Sequence, residues 1–73
     1  MMNLKTSIGG YTVSTVALPF AMGLDLYETI VFDKQDAEVD MFTRRYKTYD
    51  EAEAGHHETA DQVEYTVRER QQG

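Results

Sequence analysis

Arg44-Arg45-Tyr46-Lys47-Thr48-Tyr49-Asp50-Glu51-Ala52 is the stretch in which the pattern of the chain changes from strand to helix. Thr48 and Glu51 have the T-x-x-E spacing of a capping box. The threonine oxygen accepts from the Glu51 N–H, and the glutamate carboxylate reaches back to the Thr48 N–H. From Tyr49 onward Ala52, His56, Ala60, Val63 and Val67 recur at helical spacing and describe one apolar face. Upstream, residues alternate in the manner of strands. The fold class this predicts is α+β: a three-stranded antiparallel meander followed by one C-terminal amphipathic helix, β-β-β-α.

Working back from the junction, Val39 to Lys47 reads as the third strand and Leu24 to Phe32 as the second. The polar segment from Asp33 to Glu38 forms a hairpin loop centred near Asp36. That centre places Ile30 opposite Phe42, Leu26 opposite Tyr46 and Glu28 opposite Arg44, the last a cross-strand ion pair. Tyr11 to Leu18, rich in Thr and Val, reads as the first strand, interrupted from Pro19 to Gly23 because proline cannot donate to a ladder. Met1 to Gly10 reads as a flexible arm ending in the turn or hinge Gly9-Gly10. Residues 11–70 then form the single domain, and 71–73 a frayed tail. Gly55, which costs about 1 kcal/mol against Ala in a helix interior, either admits a close neighbour or marks a weak point.

With 73 residues the chain is one small domain. Cysteine is absent, which excludes disulfides and thiolate metal sites and agrees with a reducing compartment. No apolar run approaches the roughly 20 residues that span a bilayer, and the first ten residues lack the apolar core of a secretory signal. The expectation is a soluble cytoplasmic protein with no membrane partner. Thirteen acidic and seven basic side chains leave a charge of −6. This argues against direct nucleic-acid binding, whose affinity comes from neutralising phosphates, and permits attraction to a basic protein surface instead.

No constellation of nucleophile, base and oxyanion donors is present, so the chain is expected not to be an enzyme and to need no cofactor. Glu53, His57 and Asp61 lie at i, i+4 and i+8, a spacing that can hold a divalent metal but that any solvated acidic helix face also shows; no metal site is assigned. His56 lies on the apolar side, where a boundary histidine bonded to the chain's own groups outweighs a catalytic base. Arg44-Arg45-Tyr46-Lys47 does not make a nucleic-acid patch, because strand alternation splits it between two faces. The better binding signal is N-terminal: Leu4, Ile8 and Tyr11 are apolar or aromatic in a segment of almost no charge, and they are the candidate partner-binding residues. The same residues would equally suit packing on the chain's own helix, or a dimer. A monomer or weak homodimer is expected.

Three segments carry a resemblance as a set: V-S-T-V at Val13 to Val16, Y-E-T-I-V-F at Tyr27 to Phe32, and R-Y-K-T-Y-D-E-A-E-A-G-H at Arg45 to His56. Together they resemble small proteins of tailed bacteriophages, over a span from Tyr11 to about Val63. The chain departs from that pattern after its first strand, where many members have a longer loop. Within the group, its length and acidity look like a small transcription regulator of a lytic phage. The resemblance implies a protein of the host cytoplasm that binds a subunit of the host RNA polymerase, inhibits host initiation and promotes antitermination. It assigns no polymerase contact to particular residues. A different reading of the acidic helix is an inhibitor of a host defence nuclease, in which carboxylates between Asp50 and Glu64 imitate nucleic-acid phosphates.

Overall fold

The computed structural model describes residues 2–23 and 25–72. It is α+β, an antiparallel sheet with one C-terminal helix, and the sheet has four strands rather than three. They are β1 (Asn3–Ile8), β2 (Tyr11–Met22), β3 (Asp25–Phe32) and β4 (Arg44–Tyr46), in the order β1-β2-β3-β4, followed by α1 (Tyr49–Gln72). The tail residues Gln71 and Gln72 lie within α1, while Gly73 is outside the described residues, as is Leu24, which was expected to open the second strand.

The additional strand is the segment expected to be an arm. Gly9 and Gly10 both have positive φ, +55° and +90°, and Ile8 pairs with Tyr11 across them. This is the two-residue primed turn that matches the twist of a hairpin and that Gly-Gly permits. A rigid turn therefore folds Asn3–Ile8 back along β2. Gly9 is also needed for room, since a Cβ there would stand 2.7 Å from Val67 Cγ1. Pro19 does not end the preceding strand. β2 continues past it to Met22, and the register with β3 shifts between Ala17 and Met22, so Pro19 falls in an irregular stretch of the ladder, where a missing N–H is tolerated.

The third expected strand is shorter and lies in another register. Asp33 Oδ1 accepts from the N–H groups of Gln35 and Ala37, and Asp36 takes a φ of +62°. Val39 remains bonded to Val31, but Asp40–Phe42 then winds into a 3-10 turn that carries Phe42 into the core. After that turn β4 pairs Tyr27 with Tyr46, Glu28 with Arg45 and Thr29 with Arg44. The expected opposition of Glu28 and Arg44 is therefore off by one residue, and every side chain of the strand changes face. Arg45 pairs with Glu28 instead, Nε to Oε2 at 2.9 Å, while Arg44 reaches Glu58 and Gln62 on α1. The ladder assumed a continuous hairpin; burying Phe42 is what interrupts it.

The core lies between α1 and one sheet face, around Val13, Val31, Phe42 and Val63, with Ile8, Tyr11, Val39, Ala60 and Val67 packed against it. At the start of α1 Thr48 Oγ1 accepts from the Glu51 N–H at 3.1 Å, and Glu51 Oε1 accepts from the Thr48 N–H at 3.2 Å. Tyr49 sits edge-on to Tyr27, with ring centroids 6.2 Å apart. At Gly55 α1 comes down onto Tyr46, whose ring atoms occupy the space a Cβ would need.

Candidate binding surface

His56 marks the point where the sequence asks for a polar partner inside the fold. It is buried, its Nδ1 lies 2.7 Å from Thr15 Oγ1 and its Nε2 2.9 Å from Thr6 Oγ1. Thr15 is bonded in turn to Thr29. Thr15 and Thr29 are both fully buried and directly opposite across β2 and β3. One imidazole thus ties α1 to β1 and β2, and through Thr15 to β3. Burial lowers the His56 pKa from its usual value, and the neighbouring His57 lowers it further. With both ring nitrogens occupied by threonines and no solvent access, the ring has no lone pair left to act as a base on a bound substrate. Its effect is to hold β1 in place.

This arrangement changes the meaning of the candidate contacts Leu4, Ile8 and Tyr11. All three are half-buried. Ile8 and Tyr11 pack on the core, and the Tyr11 hydroxyl accepts from Arg70 Nη1. Leu4 and Ile8 lie on the same side of β1 as Thr6, the side that meets α1. Ile8 and Tyr11 thus contribute to the chain's own packing.

What β1 leaves free is its outer edge and its other face. It is the terminal strand of the sheet, with β2 on one side and, among the described residues, no strand on the other. Ile8 and Tyr11 flank a two-residue turn and form a hydrogen-bonded pair, so Ser7, Lys5 and Asn3 fall at non-hydrogen-bonded positions of the ladder. Their N–H and C=O groups point away from β2. The sheet face remote from α1 carries Lys5, Ser14 and Ile30 in one row, Ser7, Thr12 and Phe32 in a second, and Asn3, Val16, Glu28 and Arg45 in a third. A shallow cleft of about 380 Å³ lies there, lined by Lys5, Thr12, Ser14, Phe32 and Asp36. Leu26 and Phe20 are exposed at 47% and 79%.

The outward side of α1 exposes Asp50, Glu53, His57 and Asp61. Among the described residues no three histidine or carboxylate side chains are gathered closely enough to hold a metal ion, and Glu53, His57 and Asp61, despite their helical spacing, are not brought together as such a group. Also among the described residues, no helix is long and apolar enough to cross a membrane. The buried threonine network is what sequence reasoning missed. The signal for it was His56 itself: an imidazole on an apolar helix face needs hydroxyls or carbonyls opposite, and Thr15 and Thr29 stand on facing strands. Compared with protein-family models, curated proteins and solved structures, the chain matches none.

Proposed function

We propose that this chain is a non-enzymatic phage regulator that acts in the host cytoplasm, binds a subunit of the host RNA polymerase, inhibits initiation and promotes antitermination. The choice of partner rests on the resemblance of the three sequence segments to small phage proteins. The mode of binding rests on one observation, the open outer edge of β1. Three of the six residues of β1, Asn3, Lys5 and Ser7, present outward-facing backbone groups, and the bond from His56 to Thr6 holds the strand before any partner arrives. A preordered edge accepts an extended segment of another protein as a fifth strand without a large ordering cost. The candidate contacts are accordingly the backbone of Asn3, Lys5 and Ser7, with Leu4, Ile8 and Tyr11 supporting them from beneath.

The test is capture of polymerase from bacterial lysate by the tagged chain at salt high enough to screen surface charge, followed by transcription in vitro from a template with an intrinsic terminator. Retained polymerase subunits, fewer initiated transcripts and more readthrough are expected. Recovery of no polymerase at that salt would overturn the reading. The exposed Asp50, Glu53 and Asp61, which make no ion pair among the described residues, favour a second outcome. In it a defence nuclease is captured instead, and DNA competes it away.

A further inference from the structure

Three of the seven basic side chains are ion-paired: Arg44 with Glu58, Arg45 with Glu28 and Arg68 with Glu64. Two of the others, Lys34 and Arg70, come from distant parts of the sequence to one cleft of about 200 Å³, lined also by Gly9, Tyr11 and Val67. Neither makes an ion pair among the described residues. In a chain with 13 carboxylates, two cations that share a cleft with no acid in its lining among the described residues are the opposite of what random placement favours.

Both cations are held in position. Arg70 Nη1 donates to Tyr11 Oη at 2.5 Å while its guanidinium carbon stands 6.0 Å from the centre of the Tyr11 ring. This fixes the plane of the guanidinium and leaves its other N–H groups for a ligand. The Lys34 stem lies along Gly10, where a Cβ would come within 2.9 Å of Lys34 Cγ and 3.1 Å of its Cε. An acid, Asp33, lines the adjoining cleft with Tyr11, Lys34 and Gln35. Its Oδ1 accepts from two backbone N–H groups of its own turn, and it forms no ion pair with Lys34.

We infer that the cleft between the Gly9-Gly10 turn and the last turn of α1 binds a carboxylate presented by a protein partner, with Arg70 and Lys34 as the cations and Tyr11 and Val67 as the apolar wall. A planar carboxylate matches the guanidinium fork, and the wall suits the methylene stem of an acidic side chain. A nucleic-acid backbone fits less well, because its repeating charge would run onto the exposed acids of α1. This inference rests on the reading of the chain as a protein-binding module.

The experiment is an amide and arginine side-chain NMR titration of the full chain with acetate, against chloride at equal ionic strength and pH 7, with inorganic phosphate in parallel. Saturable shifts confined to Gly9, Gly10, Tyr11, Lys34 and the Arg70 side chain are expected with acetate. In Arg70→Gln and in Lys34→Gln the affinity should fall about tenfold, the loss of one charge-assisted contact. Undisturbed strand amides in both variants would show that the fold is intact. Shifts that chloride reproduces, that spread over every cation, or that survive in both variants would overturn the inference. So would saturation by phosphate with none by acetate, which would make phosphate the ligand. Polymerase capture is read separately, so each proposal can fail without the other.

Discussion

His56 and Gly55 are adjacent, and both matter through what the sheet places against them. His56→Ala would leave the Thr6 and Thr15 hydroxyls without their common partner and open a void, and we expect a loss of about 2–4 kcal/mol by urea denaturation. The same ring makes stability depend on pH. Its pKa is lowered in the folded chain by burial and by His57, so between that value and the ordinary 6.5 the unfolded chain binds more protons. The contribution of His56 is therefore complete above about pH 6.5 and declines as pH falls through 6.5 towards the folded value. Urea midpoints between pH 7.5 and 5 should decrease in the parent and be flatter in His56→Gln; equal slopes would place the effect elsewhere. Gly55→Ala should reverse the usual helix rule. Alanine ordinarily gains about 1 kcal/mol over glycine in a helix, but here its Cβ would stand within 2.3–2.4 Å of the Tyr46 ring. Overpacking of this kind costs about 1–3 kcal/mol, so net destabilisation is expected.

Among the elements, α1 begins where its capping box is written and β1 exists because of its turn. Thr48→Ala should lower stability by about 0.5–2 kcal/mol, with thermal unfolding as the readout and no change in partner capture, since the cap is remote from the β1 edge. β1 permits a sharper test. Lys5 lies at a non-hydrogen-bonded ladder position, so Lys5→Pro removes an outward-facing donor without removing a bond to β2. Circular dichroism should report a folded protein whose capture of polymerase is lost, while Lys5→Gln, which removes the charge alone, retains it. Full capture by the proline variant would exclude strand addition at this edge.

For the molecule as a whole, one helix covers one face of a four-stranded sheet, and the other face and the β1 edge are left to solvent or to partners. A domain of this size has little apolar surface to bury, and much of it goes into the α1 side. The interior it builds there is unusual in being partly threonine and histidine. That composition obscured the orientation of β3, where Leu26, Ile30 and Phe32 look like the core face while Thr29 and Val31 are the residues fully buried. An alternating apolar pattern does not choose a side when both sides carry apolar groups and the buried polar ones are satisfied by a residue far along the chain.

The sequence by itself determined what local interactions control. The start of α1 follows from hydrogen bonds between residues three apart, its buried face from a spacing of about 3.6 residues, and the α+β class from the change of period at Thr48. Tertiary structure decided what depends on distant groups: that the first ten residues contain a strand, that Phe42 breaks the expected hairpin and shifts β4 by one, and that His56 finds Thr6 and Thr15. It also brought Lys34 to Arg70, which no local pattern links. In each case the local pattern leaves the choice open, and contact with groups remote in sequence settles it.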